Sequence, residues 1–169
     1  MKAIVLASIA AIFVQPLCFL VVFFVPTLFN GADILSMDVL RMSLFASVIA
    51  TPFVILVGIP SLLILRRLNR LSSFIFAVIG FVVSSAAVAL LGWPGFTYSG
   101  YSSGGNWHGR YVHFVVDGVT TTYGWLNYIE GVLMFGLHGL VGAIVLHFVW
   151  RCSIEGNNSF MLLPFRGAA

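Results

Sequence analysis

The sequence predicts an all-α membrane protein with four transmembrane helices and an extracytoplasmic β-hairpin between helices three and four. Three observations carry that expectation. Of the 169 residues, 60% are hydrophobic and only 8% are charged, against about a quarter charged in an ordinary soluble domain. Charge that sparse cannot cover a water-facing surface, so lipid must cover most of it. Four apolar stretches, about 4–28, 41–65, 73–92 and 127–150, are each long enough to cross hydrocarbon, which takes roughly 20 helical residues. Between the last two lies an outer loop, 93–126. Its second half, "YVHFVVDGVTTTYGW", sets β-branched and aromatic residues on both sides of Asp117-Gly118, a turn pair that accepts positive φ.

The first span follows Lys2 directly. Its apolar run continues to about Phe29, well beyond a signal-peptide core of roughly 7 to 15 residues, so it reads as a span that tilts or bends at Pro16. The second contains Pro52 and Pro60, whose missing amides free carbonyls that buried neighbours must accommodate. The third has Ser84 and Ser85 as its deep polar residues. On the fourth, Gly136, Gly139 and Gly142 form a smooth packing surface that lets neighbouring helices approach closely. Asp, Glu, Lys and Arg are absent from the span interiors, with Arg41 and Glu130 at the ends. Cys18 and Cys152 fall at different depths and lack metal or redox spacing, so two free thiols are expected.

Lysine and arginine set the direction. With a cytoplasmic amino terminus, Lys2, Arg66, Arg67, Arg70, Arg151 and Arg166 lie inside while Arg41 and Arg110 lie outside, six of the eight on one side. "RRLNR", 66–70, is then the clearest cytoplasmic loop, and its arginines are span-end anchors rather than a nucleic-acid site. The expected location is a plasma membrane of the bacterial inner-membrane type, with both termini cytoplasmic. A short outer loop at about 29–40 carries Asp33 and Asp38. A cytoplasmic tail runs over 151–169, with "FMLLPF" lying back on the interface. The whole chain, 1–169, reads as one domain without internal repeats.

The outer loop divides in two. Eight of the nine Trp and Tyr residues fall between Trp93 and Tyr128. An aromatic belt occupies both interfaces, so a one-sided load suggests more than anchoring. Residues 92–110, rich in Gly, Ser and aromatics, read as a flexible stretch. With Asp117-Gly118 as a two-residue turn, Val116 faces Val119, Phe114 faces Thr121, Val112 faces Tyr123 and Arg110 faces Trp125, the last pair placed for a cation–π contact. That side is apolar and is expected to lie on the helices or the membrane surface. A lone hairpin is marginal in water, and its edges can accept a partner strand. Tyr111, His113, Asp117, Gly118, Thr120 and Thr122, on the more polar side and at the tip, are therefore the candidate partner-binding residues.

Gln15, Glu130 and His138 are the candidate polar residues at membrane depth. Glu130 and His138 are separated by about 12 Å of helical rise. His138 falls near the midplane, where an ionisable group is a functional suspect. Its expected role is an interhelical hydrogen bond to Gln15, Thr51, Ser84 or Ser85. No metal site is expected, because His108, His113 and Asp117 lack the tight spacing of zinc ligands, and no cofactor is expected either.

Motifs of several enzyme classes are missing: GxSxG, HExxH, a phosphate-binding glycine loop and paired intramembrane aspartates. Four-span quinone-coupled thiol oxidoreductases depend on outer-loop cysteine pairs. Small four-helix multidrug transporters need a glutamate in the first span, and tetraspanins a Cys-Cys-Gly; none of these is here. In plan, with about this length, four spans and both ends inside, the chain is similar to small bacterial immunity proteins against pore-forming toxins, such as the colicin A type. The likeness is one of architecture, and no residue is carried over from it. The expected function is a non-catalytic inner-membrane interaction protein, of toxin-immunity or accessory-subunit type. Its partners would be the lipid bilayer and a membrane or extracytoplasmic protein. Two alternatives stand beside it. One is a small transporter or channel using Glu130 and His138, with flux that follows pH through the imidazole. The other is an intramembrane enzyme on a lipid-like substrate, built on Ser84, Ser85 and His138.

Overall fold

The computed structural model of the protein describes the backbone of residues 2–30, 37–95 and 97–161, and the side chains of 2–22, 40–95 and 97–154. Asp33, Arg166 and most of the "FMLLPF" segment lie outside the described residues. In chain order the elements are α1 (Lys2–Asn30), α2 (Met37–Phe53), a π-helical turn (Val54–Gly58), α3 (Ile59–Arg67), α4 (Ser73–Leu91), β1 (Ser103–Trp107), β2 (Arg110–Val116), β3 (Val119–Thr120) and α5 (Thr122–Met161). Among the described residues four helical stretches are long and apolar enough to cross a membrane: Lys2–Val22, Leu40–Arg67, Ser73–Leu91 and Thr122–Ile154. The fourth starts earlier than the expected 127. Its helix continues to Met161, through the first part of the segment read as a tail. By contact the chain divides into two compact units, Met1–Gly80 with Leu140–Ala169, and Phe81–Gly139.

In the first unit the prolines decide the local geometry. Pro16 has no amide for the carbonyl of Ile12. The Ser47 hydroxyl on α2 donates to that carbonyl at 3.5 Å, and α1 remains helical through the proline. In the second span Pro52 and Pro60 remove the amide partners of Val48 and Leu56. The helix widens between them, the Ile59 amide reaching back to the Val54 carbonyl in a π turn of the kind found at such interruptions. The core comprises Ala7 and Ala11 on α1 with Val54, Leu62, Phe76, Leu146 and Trp150. Small residues set the approach distances. A Cβ at Gly58 would come 3.1 Å from a Leu146 methyl, and one at Gly142 would come 2.6 Å from Gln15 Nε2. Lipid tails are as apolar as leucine, so this interdigitation holds the helices together through van der Waals contact rather than through water exclusion. Both cysteines are free thiols, Cys18 half-buried and Cys152 exposed.

The end of α3 is closed by a Schellman motif. Asn69 adopts the left-handed region at φ 52°. The Arg70 amide donates to Leu65 O at 3.0 Å, and the Asn69 amide to Arg66 O at 3.1 Å, which satisfies carbonyls that the helix end would leave open.

The second unit contains a three-stranded antiparallel sheet in the order β1-β2-β3, where the sequence suggested a two-stranded hairpin. Two turns of the same type build it. His108 and Gly109 have φ of 48° and 82°, and Asp117 and Gly118 have 49° and 77°. Two successive positive φ values match the right-handed twist of the flanking strands. The expected register holds next to Asp117-Gly118: Val116 pairs with Val119, Val115 with Thr120, and the Thr121 amide donates to Phe114 O at 2.9 Å. There the ladder stops, because Thr121 caps α5. Its Oγ1 accepts from the Gly124 amide at 3.2 Å and donates to His113 O at 2.6 Å. The expected Val112–Tyr123 and Arg110–Trp125 pairs are therefore replaced. Tyr123 and Trp125 are helical, and Arg110 pairs with Trp107.

Candidate interaction site on the sheet

The glycine-rich stretch that read as a flexible loop supplies β1, and the rings of β2 explain its composition. A Cβ at Gly104 would lie 2.9 Å from the Tyr111 hydroxyl and 3.2 Å from His113 Nδ1, and one at Gly105 would lie 3.0 Å from the Phe114 ring. Glycine lets these rings lie across the strand. A bulge interrupts the pairing: Ser103 opposes Val115 while Gly104 opposes His113, which leaves Phe114 as the extra residue. Bulges break the alternation of faces. Phe114 and Val115 accordingly line the same groove of about 370 Å³, together with Val88, Gly92, Tyr128 and Gly131.

The two edges of the sheet differ. On the β3 side the preceding chain bonds the Thr120 side chain and the Asp117-Gly118 turn. Thr120 Oγ1 donates to Pro94 O at 2.6 Å, and the Gly118 amide to Tyr101 O at 2.7 Å. Asp117 Oδ1 accepts from the Gly100 amide at 3.0 Å, and the Asp117 amide donates to Ser102 Oγ at 2.9 Å. Beside β1 no backbone hydrogen bond leaves the sheet among the described residues. Gly104 and Asn106 are exposed there. Next to them Tyr111 is 73% exposed, its ring edge-on to His113 at 5.6 Å.

Two further clusters brace this unit, the first of them tying the sheet to α5. Glu130 Oε2 on α5 accepts from Trp107 Nε1 at 2.9 Å and lies 3.2 Å from His108 Nε2, so one carboxylate oxygen clips the β1–β2 turn. Trp93, Trp125 and Tyr128 form three edge-to-face pairs with centroids 5.4, 5.8 and 5.9 Å apart, an arrangement that adds about 0.5–1.5 kcal/mol per pair beyond area burial. The Tyr128 hydroxyl also donates to Ala89 O on α4 at 2.9 Å. Part of the one-sided aromatic load is thus internal support.

No family model matches the chain, and no curated protein or solved structure matches it. The six sequence-selected partner residues divide by environment. Tyr111, His113, Asp117 and Thr122 are exposed, and Gly118 and Thr120 are half-buried. Asp117, Gly118 and Thr120 bond the segment that precedes β1. Thr122 opens α5 instead of a strand.

Of the polar residues at membrane depth, Gln15 is 5% exposed and its Nε2 donates to Ala11 O at 3.4 Å, within α1. His138 Nδ1 donates to Met134 O one turn back at 2.9 Å, a bond within α5. Gly136 gives close approach to Ser85 and Phe81 of α4, while Gly131 faces open space. Gly139 is half-buried. Trp107 and His108, which the sequence reading did not select, carry the clip to Glu130. Their signal was the "WHGR" turn, a His-Gly pair playing the part that Asp-Gly plays further on. Among the described residues, no three His, Cys, Asp or Glu side chains come together as a metal site would require.

Proposed function

We propose that the chain is a non-catalytic integral membrane protein that docks a partner protein on its three-stranded sheet. The open outer edge of β1 would accept a strand of the partner, with Tyr111 and His113 meeting its side chains. The observation that carries this reading is the contrast between the two sides of the sheet: on one, Pro94 accepts from the Thr120 side chain and residues 100–102 bond the Asp117-Gly118 turn, whereas among the described residues Ser103–Trp107 makes no backbone bond away from β2. An exposed edge offers main-chain donors and acceptors for affinity and adjacent side chains for selectivity. By the six-to-two distribution of Lys and Arg, the sheet would face the extracytoplasmic side of a bacterial inner membrane, with both termini inside. Toxin neutralisation and an accessory-subunit role are the two forms of the function that fit. The transporter alternative has less support, since the Glu130 carboxylate is already engaged by Trp107 and His108.

The test places a photo-crosslinking residue at Asn106 in intact cells and identifies adducts by mass spectrometry. Gly109→Val serves as the comparison, because its φ of 82° opposes a β-branched residue and should remove β1. A discrete protein adduct that is lost in Gly109→Val supports the reading. A blank, or an adduct that persists after verified loss of β1, overturns it.

A further inference from the structure

The first unit carries a cationic cluster at the end of its second span. Arg66 and Arg67 close α3, and the Schellman turn at Asn69 brings the chain back so that Arg70 follows on the same short reversal. All three side chains are exposed. The Arg66 guanidinium lies 5.5 Å over the Trp150 ring of α5, and Arg151 follows Trp150 directly. Trp150 is only 8% exposed, so it is a fixed platform rather than a freely hydrated ring. Beneath it His147, 5% exposed, is held by Ser73 Oγ at 3.0 Å and by ring contacts to Phe76 and Trp150 at 6.3 and 6.4 Å.

We infer that this cluster binds the phosphate of an anionic phospholipid headgroup. Two features argue for a lipid over a phosphate from solution. The arginines stand where the apolar segment Leu40–Arg67 ends, which is headgroup depth for a spanning helix. The charge is also complementary, with the side chains of Arg66, Arg67 and Arg70 all exposed at one end of the span. A guanidinium held over an aromatic face keeps its N–H donors, and their planar fork is the geometry that phosphate oxygens accept in pairs. An ordinary anchoring arginine snorkels without a fixed contact; Arg66 has one in the Trp150 ring. Basic pockets at the ends of membrane helices recognise anionic headgroups in this way.

The experiment uses the full chain in neutral detergent and counts retained lipid by native mass spectrometry. Phosphatidylglycerol, phosphatidylcholine with matched acyl chains, and inorganic phosphate are compared. Retention of phosphatidylglycerol over phosphatidylcholine by about tenfold or more is expected, with inorganic phosphate failing to displace it at equal concentration. The double variant Arg66→Gln/Arg67→Gln should lose that preference. Arg70→Gln, away from Trp150, should weaken it, and Arg110→Gln on the sheet should leave it unchanged. Equal retention of both lipids would overturn the inference. So would undiminished retention by a folded Arg66→Gln/Arg67→Gln protein, or displacement by inorganic phosphate, which would make the site one for free phosphate.

Discussion

Replacing Thr121 by valine keeps the shape of the side chain and removes only its hydroxyl, so it isolates the junction between the sheet and α5. Two bonds are lost. The acceptor for the Gly124 amide, at 3.2 Å, is a helix N-cap interaction of about 0.5–2 kcal/mol, and its length places it toward the lower end. The donor to His113 O, at 2.6 Å, adds about 0.5–1.5 kcal/mol net. Together they stabilise the junction by about 1–3 kcal/mol, which is roughly a 5- to 150-fold change in an opening equilibrium. The assay is amide hydrogen exchange by mass spectrometry or NMR in detergent, followed at residues 119–125. Thr121→Val should accelerate exchange there by that factor and leave α4 unchanged. Thr122→Val, at an exposed position one residue on, is the control and should exchange like the parent. If the two variants exchange alike, the hydroxyl does not hold the junction.

Three other outcomes follow from distances already given. Gly136→Ala would push a methyl into Ser85 Oγ and the Phe81 ring, an overpacking that costs about 1–3 kcal/mol. It should lower the midpoint of unfolding in a denaturing detergent titration, whereas Gly131→Ala, facing open space, should not. Ser47→Ala should cost about 0.5–1 kcal/mol in the parent but almost nothing in a Pro16→Ala background, where an alanine amide serves Ile12 O; equal costs in the two backgrounds would show that Ser47 does not serve that carbonyl. Glu130→Leu should accelerate exchange at Trp107–Arg110 by about three- to tenfold, with a smaller effect in Glu130→Gln, which keeps an acceptor for Trp107. An unchanged rate in Glu130→Leu would mean that the clip does not restrain the turn.

The spans were legible because burial in lipid imposes a length and a composition that few other structures need. The Asp117-Gly118 turn was legible because positive φ at two successive positions narrows the choice of residues to few. What the sequence hid was β1. Ser103-Gly104-Gly105 has low strand propensity on any scale, and glycine is there because Tyr111, His113 and Phe114 lie across it, a reason that exists only once β2 is in place. The end of the hairpin was hidden for a different reason. Thr121, Thr122 and Tyr123 suit a strand as well as a helix start, and the competition was settled by the Thr121 cap and by Trp125 and Tyr128, whose three-residue spacing puts both rings against Trp93. The bulge at Phe114 then undid the simple alternation on which the apolar and polar sides of the ribbon had been assigned. The bond from His138 to Met134 O is of a kind that sequence does not specify, since a histidine in a helix does not say which carbonyl its ring will choose.

The two turns have a kinetic consequence. Every strand pairing of the sheet falls within residues 103–120, and each strand is joined to the next by only two residues. Contacts this close in sequence close small loops at little entropic cost, and hairpins of this kind form in about 1–10 μs. A chain synthesised only as far as Thr121 already contains every residue the strands need for one another. The sheet is therefore able to assemble before the final span has been made, and α5 grows from a cap whose partner carbonyl on β2 is already in position.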